Sequence, residues 1–257
     1  MNLQLQDQHF IVGGATSGFG KAVAEALLAE GANVIAIART EEKLQELQQS
    51  HPYKVEIFVG DITSPGAVQA LKKQLGNKRV DGMLVNAGGP PAMTALEAGL
   101  QDWDRAYEQV LRWKIDMVQT FLPGMIEHNY GRIVFVESAS VKQPMENLVL
   151  SNAMRLAVVG YAKTLSQEVA HEGVTLNIMA PGYHATSAME RLFKKKSEQT
   201  GISIDDAMLQ YVSQTRVGFL GAAEDFASLA LWLLSPHSRY LTGQTISVDG
   251  GVIKGTF

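Results

Sequence analysis

Short apolar runs alternate with longer helix-like stretches along nearly the whole chain. Seven runs are predicted as strands, and most are continuously apolar, which is typical of parallel strands covered on both faces. The predicted strands are His9–Gly13, Asn33–Ala38, Lys54–Val59, Gly82–Val85, Arg132–Val136, Thr175–Ala180 and Thr245–Val248. The helical patterns between them are Lys21–Glu30, Glu41–Gln49, Pro65–Leu75, Gln101–His128, Leu150–His171 and Glu224–Leu234. Repeated strand–helix units predict an α/β fold with a doubly wound parallel sheet of about seven strands.

One segment departs from this alternation. Positions 187–215 carry two further helical patterns, Ala188–Lys196 and Asp205–Ser213, before the last helix and strand. The lysines at positions 194–196 are typical of a solvated helix face. No linker, repeat or break in composition divides the 257 residues. We therefore expect one domain over 1–257, with 187–215 as an inserted lid over a substrate pocket.

Composition and charge narrow the classes of function. The chain holds 22 Lys and Arg against 26 Asp and Glu, a net charge of −4, which argues against binding to nucleic acid or an anionic membrane. Cysteine is absent, so disulfides and thiolate catalysis are excluded. The six histidines lack the paired spacing of zinc enzymes. A polar start and short apolar runs predict no signal sequence or membrane span. We expect a cytoplasmic protein with no metal site.

The turn after the first predicted strand is rich in glycine. Gly14, Gly18 and Gly20 form the pattern G-x-x-x-G-x-G, with Ser17 and Phe19 between them, and a predicted helix follows. Glycines at such a turn allow close backbone approach, and the N–H groups at a helix N-terminus bind phosphate. The arrangement predicts a dinucleotide site. The alternative is a tight turn that binds nothing.

Residues at the ends of the next strands fit the same ligand. The second strand ends at Ala38 and is followed by Arg39. A carboxylate near this point favours NAD, whereas a guanidinium pairs with the 2′-phosphate of NADP. We therefore expect NADP(H) to be preferred over NAD(H); the alternative is an ordinary surface arginine. Further candidates at the carboxyl ends of strands are Asp61, Ile62, Asn86, Ala87 and Gly88.

These motifs, in this order, resemble the short-chain dehydrogenase/reductase family over nearly the whole chain. The glycine loop is similar to the family's T-G-x-x-x-G-x-G, with Gly13 in place of the threonine, and positions 248–251 resemble its closing V-D-G-G. The pattern is most similar to members of the 3-oxoacyl-[acyl-carrier-protein] reductase type. The resemblance implies a three-layer Rossmann-like domain. It also implies an NADP(H)-dependent oxidoreductase that transfers hydride between nicotinamide and a carbonyl or alcohol substrate.

The resemblance assigns cofactor roles to individual positions. Asp61 stands where the family contacts adenine, and positions 86–88 match the N-A-G segment that braces the sheet near the adenosine ribose. Pro181, Gly182 and Thr186 match P-G-x-x-x-T, which holds the nicotinamide carboxamide in the family. The resemblance therefore implies a complete cofactor site.

The predicted catalytic positions differ from the family pattern. Ser138 matches the family serine, but Ser151 and Arg155 replace the Tyr-x-x-x-Lys motif, and Val110 stands at the position of the family's asparagine. Residues four apart share a helix face, so Ser151 and Arg155 point the same way. An aliphatic hydroxyl is a far weaker acid than a phenol, and arginine stays charged. Arg155 can hold ribose hydroxyls or stabilise oxyanion charge beside Ser138; alternatively, Ser138 caps its loop.

The source of the proton is open at this point. Tyr183, His184 and Lys142 are candidate donors, with plainer interpretations as a pocket wall, a loop residue and a solvated cation. Tyr161 lies three helical turns beyond Ser151, roughly 15 Å away, and is too far to replace the phenol. An alternative function is a catalytically silent NADP(H)-binding sensor or scaffold, because the cofactor motifs support both functions equally.

The predicted helix Leu150–His171 is apolar on more than one face. A helix that is apolar all round is buried on two sides, and one side must cover the sheet. We therefore expect a second copy of the chain against the other side, in a dimer or tetramer. Burial under the chain's own segments is the alternative.

Overall fold

The seven apolar runs form the strands of one sheet. A computed structural model describes residues 1–256, apart from the side chain at position 188. The strands are β1 His9–Gly13, β2 Asn33–Ala38, β3 Val55–Val59, β4 Gly82–Val85, β5 Gly131–Val136, β6 Val174–Pro181 and β7 Thr245–Val248. Neighbours pair in parallel in the order β3-β2-β1-β4-β5-β6-β7. The predicted fold class is confirmed, and each strand boundary lies within one residue of its prediction.

Helices cover both faces of the sheet. They are α1 Gly18–Ala29, α2 Glu41–Ser50, α3 Ala67–Leu75, α4 Leu100–Ala106, α5 Trp113–Glu127, α6 Val149–Val169, α7 Ser187–Thr200, α8 Ile204–Val212 and α9 Ala223–Leu234. Apolar side chains of α1, α2 and α9 pack on one face, and those of α3, α5 and α6 pack on the other. This arrangement is the three-layer Rossmann-like fold.

The predicted helical stretch Gln101–His128 is helical in the structure but is not a single α-helix. A π-helical turn, Tyr107–Arg112, separates α4 from α5. The indole N–H of Trp113 donates to the carbonyl oxygen of Gln109 at 2.9 Å. Periodicity did not reveal this turn because the apolar stripe continues through it. Turns of this kind are frequent at functional sites.

The strand order reverses between β1 and β4. Strands β2 and β3 lie on one side of β1, and β4 to β7 lie on the other, so the loops that follow β1 and β4 diverge and leave a crevice. Segment 187–215 contains α7 and α8, which pack against each other around Met189, Phe193 and Ala207. Among the described residues, no helix is both long and apolar enough to cross a membrane.

Candidate active site

A cavity of about 520 Å³ lies at the carboxyl ends of β1 to β5. The predicted residues that line it are Gly14, Ser17, Gly18, Phe19, Arg39, Asp61, Ile62, Asn86, Ala87, Gly88, Arg155 and Thr186. Within the described part of the chain, the other predicted residues lie outside the lining: Gly20, Ser138, Ser151, Pro181 and Gly182. Lining residues that were not predicted include Gln109, Glu137 and Arg191.

The glycine turn after β1 has the shape of a phosphate cradle. A Cβ at Gly20 would lie 2.3 Å from the carbonyl oxygen of Gly14 and 2.5 Å from that of Gly13, and Gly14 has φ +68°. Nδ2 of Asn86 donates to the Gly13 carbonyl oxygen at 3.0 Å and so ties β4 to the turn. The N-terminus of α1 has no side-chain cap, which leaves its N–H groups available to an anion.

Arg39, Asp61 and Ile62 form the end of the cavity beyond β2 and β3. Arg39 and Asp61 are exposed, whereas Ile62 is buried. The Asp61 carboxylate accepts hydrogen bonds from the N–H and the hydroxyl of Thr63 at 3.0 and 2.8 Å. At this end, Arg39 can therefore bind a phosphate, the oriented Asp61 carboxylate can accept polar N–H groups, and Ile62 provides an apolar surface.

Phe19 and Thr186 belong to one wall of the cavity. The Phe19 ring packs against Phe226, with 4.2 Å between centroids, and edge-on against His184 at 4.9 Å. A Cβ at Gly18 would touch the Thr186 methyl group at 3.7 Å. The glycine turn and the start of α7 are therefore in direct contact.

Pro181 and Gly182 lie behind this wall. Pro181 is buried at the end of β6, and the N–H of Gly182 donates to the Val248 carbonyl oxygen at 3.0 Å. A Cβ at Gly182 would lie 2.6 Å from the Cβ of Asp249. The P-G-x-x-x-T segment at the end of β6 and the V-D-G-G segment at the end of β7 therefore pack against each other. Together they support the loop that carries Thr186.

Three charged side chains meet at the floor of the cavity. Glu137, at the end of β5, forms ion pairs with Lys114 of α5 and Arg155 of α6. Nη1 of Arg155 lies 3.0 Å from Oε2 of Glu137, and Nζ of Lys114 contacts Oε1. The Glu137 side chain is 0% exposed, and those of Lys114 and Arg155 are 3% and 12% exposed. We call Lys114, Glu137 and Arg155 the ion triad.

The guanidinium of Arg155 is fixed along two of its edges. Nε donates to Oγ of Ser151 at 3.1 Å, and Nη1 donates to Glu137 and to the Val136 carbonyl oxygen at 3.3 Å. Nη2 has no hydrogen-bond partner among residues 1–256. It lies 2.9 Å from the position of a Cβ at Gly89, on the cavity wall. Arg155 lines the cavity, so Nη2 is the part of its guanidinium that is left for a ligand there.

The ion triad contains one more cation than anions. Burial lowers the pKa of Lys114 to about 8, although the Glu137 carboxylate opposes this shift, and nearby Arg155 adds to it. Lys114 is therefore mostly protonated at neutral pH. The two cationic side chains and the one carboxylate give the triad a formal net charge of +1. A positive charge in a buried setting is costly without a counter-charge, so the floor of the cavity is suited to an anion or to developing negative charge.

The two predicted catalytic serines make structural hydrogen bonds. Oγ of Ser138 accepts the N–H of Ser140 at 3.1 Å and caps a short 3₁₀ turn, which is the alternative role weighed above. Ser151 is buried, and its Oγ accepts from Arg155. The site of the family's asparagine, Val110, is a buried residue of the π-helical turn. These contacts position the loop and the guanidinium.

The three candidate proton donors are not among the described residues that line the cavity. The Tyr183 hydroxyl donates to Gln214 at 3.1 Å, and burial raises its pKa. His184 is 3% exposed, and burial lowers its pKa. Lys142 is half-buried on the loop after β5. Burial also raises the pKa of Tyr161 to about 12, so that phenol is a weaker acid than usual.

Sequence reasoning missed Glu137 and Lys114. Each carried a weak signal: Glu137 follows a fully apolar strand end, and Lys114 lies between Trp113 and Met117 on an apolar helix stripe. A charge at such a position requires a partner. The partners come from separate elements, so their pairing becomes visible only in the fold.

The parallel sheet and the crevice at its reversal point define the class as a Rossmann-like α/β protein. The family model described as "Enoyl-(Acyl carrier protein) reductase" matches residues 14–253. The chain is 30% identical over 254 residues to the 3-oxoacyl-[acyl-carrier-protein] reductase FabG of Vibrio cholerae, covering 97% of this chain and 99% of the relative. It is 28% identical over 250 residues to the NADPH-dependent reductase BacG of Bacillus subtilis, with 94% and 96% covered.

A solved structure extends the comparison to the fold. The L-sorbose reductase from Gluconobacter frateurii, complexed with NADPH and L-sorbose, matches with a TM-score of 0.93 and 24% identity over 99% of this chain and 100% of that chain. The chain therefore belongs to the short-chain dehydrogenase/reductase family of oxidoreductases, as its motifs indicate.

Proposed function

We propose that this protein is an NADP(H)-dependent reductase that transfers hydride between nicotinamide and a carbonyl or alcohol substrate. The glycine turn supports this proposal because its tight closure and uncapped helix N-terminus fit a pyrophosphate. When bound, a reduced nicotinamide supplies the hydride. The residues that would hold the dinucleotide are Gly14, Ser17, Gly18, Phe19, Gly20, Arg39, Asp61, Ile62, Asn86, Ala87, Gly88, Arg155, Pro181, Gly182 and Thr186.

Arg39 supports the preference for NADP(H). Its guanidinium lines the cavity next to the end of β2, where an arginine can pair with a 2′-phosphate. The last residues of β2, Ile37 and Ala38, carry no carboxylate for a ribose 2′-OH. The similar reductase of Bacillus subtilis is described as NADPH-dependent, which agrees with this assignment.

Arg155 carries the proposal for the chemical step, because it lines the cavity and its Nη2 has no hydrogen-bond partner among the described residues. Hydride addition to a carbonyl carbon moves the C=O electron pair onto oxygen, and the fixed guanidinium stabilises the resulting negative charge. Arg155 does not donate the proton, because a guanidinium stays charged. The alkoxide then takes a proton from a solvent water molecule, and the hydroxide so formed returns to bulk solvent, which yields the alcohol. In this proposal, Ser151 and Ser138 orient Arg155 and the loop after β5.

A panel of aldehydes and ketones, assayed for NADPH oxidation, tests the proposed function. We expect turnover by the wild type and a loss of roughly 100-fold in kcat for Arg155→Met, the size of effect seen when an oxyanion donor is removed. Ser138→Ala and Ser151→Ala should lose less. The exposed Arg105→Met is the matched control. An Arg155→Met variant as active as this control would contradict the assignment.

The second candidate function is a silent NADP(H)-binding sensor or scaffold. It is favoured by one observation: Ser138, Ser151 and the three candidate donors lie outside the described cavity lining. This function predicts binding of NADPH without turnover of any carbonyl compound. The double variant Ser151→Tyr with Arg155→Lys separates the two functions, because activity only in that variant would show that the natural chain lacks a working proton relay.

We propose that segment 187–215 is a lid over the substrate end of the cavity. Ser187 and Arg191, at the start of α7, line the cavity together with Thr186. Hydrogen exchange of the amides in this segment should slow when NADPH and an alcohol product are added. Unchanged exchange in this segment would contradict a lid.

We propose that α6 packs against a second copy of the chain in a dimer or tetramer. One face of α6 covers the sheet through Leu150, Val158 and Ala162, whereas Leu156 on another face is 53% exposed. The described part of the chain leaves this second face uncovered. Light scattering should therefore give a multiple of 27.9 kDa, and Leu156→Glu should lower it. A wild-type monomer would contradict the assembly.

A further inference from the structure

We propose that the substrate carries a carboxylate beside its reactive carbonyl, and that Nη2 of Arg155 binds this carboxylate. The inference rests on the proposed function, because it names the substrate class of the same site. It is carried by the charge of the ion triad, by the unused donors of Arg155, and by the other charges of the cavity lining.

The charge of the ion triad is the first argument. Glu137 is the wholly buried counter-ion that Lys114 and Arg155 share. Its single negative charge cannot neutralise both cations. The surplus of +1 sits next to the cavity, because Arg155 and Glu137 both line it. A neutral ketone would leave this charge without a counter-ion, whereas a carboxylate balances it in a partly desolvated setting, where such pairs are strongest.

The donors of Arg155 are the second argument. Nε and Nη1 are occupied by Ser151, Glu137 and a backbone carbonyl, whereas Nη2 has no hydrogen-bond partner among the described residues. A 2-oxo acid presents a carboxylate oxygen and a carbonyl oxygen side by side. One N–H of Nη2 can donate to a carboxylate oxygen, and the positive charge of the same guanidinium would stabilise charge on the neighbouring reacting oxygen.

The other charges of the lining are the third argument. The charged residues that line the cavity within residues 1–256 are Arg39, Asp61, Glu137, Arg155 and Arg191, and the side chain of Glu137 is wholly buried. Asp61 lies at the opposite end and is engaged by Thr63, and Glu137 is engaged by the triad. Arg191, from α7, adds a second cation. No free carboxylate of this set lies next to Arg155 to repel an anion.

Two probes of nearly the same shape test the proposal. Oxamate is an anion, oxamide is its neutral analogue, and neither is reduced by NADPH. Calorimetric titrations with and without saturating NADPH should show oxamate binding about tenfold or more tightly than oxamide, as expected for a charge-assisted hydrogen bond. Equal affinities, or binding of neither probe, would overturn the proposal. A preference for oxamate without turnover of 2-oxobutanoate would count against the proposed function alone.

Substitutions in the ion triad test whether its charge causes the preference for oxamate over oxamide. Lys114→Met removes one charge from the ion triad and should reduce the preference for oxamate over oxamide to less than threefold. Arg155→Met should abolish the preference. Lys73→Met, an exposed position on α3, is the matched control and should retain it. If Lys114→Met weakens both probes equally, Lys114 has a purely structural role and the charge argument fails.

The pH dependence provides an independent readout. Lys114 loses its proton near pH 8, and the groups that face it are Glu137 at the end of β5, Arg155 on α6 and the Trp113 ring on α5. Above that pH the net charge of the triad falls from +1 to 0. The preference for oxamate should therefore decline through pH 8 in the wild type and be flat in Lys114→Met. A flat wild-type profile would contradict the assignment of the surplus charge to Lys114.

Discussion

The end of the cavity around the glycine turn, which we propose is its cofactor end, and the end around Arg155, which we propose is its reaction end, differ in how closely they follow the family pattern. At the cofactor end, the glycine turn closes over Gly20 and is braced by Asn86, as the motifs imply. At the reaction end, Ser151 and Arg155 stand in place of the Tyr-x-x-x-Lys pair, and Arg155 is tied into a buried ion triad with Lys114 and Glu137.

The proposed binding of a dinucleotide and the proposed chemistry therefore depend on different residues of the cavity. The changed residues at the reaction end satisfy one another: Arg155 donates to Ser151 and Glu137, and Glu137 also binds Lys114. A set of mutually satisfied polar groups is an ordered site. We infer that the reaction end is adapted to stabilise negative charge, whereas a phenol would donate a proton.

The largest effect is expected when the shared carboxylate is removed. Glu137→Gln leaves two buried cations without a counter-charge and should lower the free energy of unfolding by about 3 kcal/mol or more. Urea denaturation measures this change. The exposed Glu146→Gln is the control and should stay within about 0.5 kcal/mol of the wild type. Similar values for both variants would show that the ion triad does not hold the reaction end together.

The next largest effect concerns the cofactor end. Gly20→Ala places a Cβ within 2.5 Å of two carbonyl oxygens, so the turn must open and lose its N–H contacts to phosphate. The Kd for NADPH should rise about tenfold or more. Gly124→Ala, where a Cβ would meet nothing within 4 Å, should leave the Kd unchanged. Equal Kd values for Gly20→Ala and the wild type would show that the glycine turn does not bind NADPH.

A smaller effect is expected for Arg39. Arg39→Ala removes the proposed partner of the 2′-phosphate, and this arginine is exposed, so solvent weakens the pair. The Kd for NADPH should rise about fivefold to tenfold, and that for NADH should not change. An equal rise in Kd for NADPH and NADH would show that Arg39 does not bind the 2′-phosphate.

The smallest effect compares two neighbouring serines. Ser138→Ala removes the acceptor of the Ser140 N–H and should cost about 1 kcal/mol of stability. Ser140→Ala removes a buried hydroxyl that has no partner among the described residues, so it should be neutral or stabilising. Thermal unfolding measures the change in stability of both variants relative to the wild type. The reverse order would contradict the capping role of Ser138.

Prediction from sequence succeeded where the signal is local. The glycine turn lies within a few residues of β1. Arg39, Asp61 and Asn86 each follow a continuous apolar run, so their place at the carboxyl edge of the sheet could be predicted. The π-helical turn at Tyr107–Arg112 could not, because hydrophobic periodicity hardly changes there.

The ion triad could not be predicted because its pairing is not local. Lys114, Glu137 and Arg155 come from α5, β5 and α6, and each was judged only against the residue type expected at its own position. Comparison with the family drew attention to Val110, Ser151 and Arg155. The partner that orients Arg155 is the residue next to Ser138, which no motif marked.

Titration of the wild-type protein with NADPH and with NADH is the most direct measurement of the central claim, that the cavity binds a phosphorylated dinucleotide. We predict saturable binding of both in calorimetry, with NADPH bound more tightly because of its additional phosphate. No heat of binding and no change in tryptophan emission or melting temperature with either coenzyme would contradict the account.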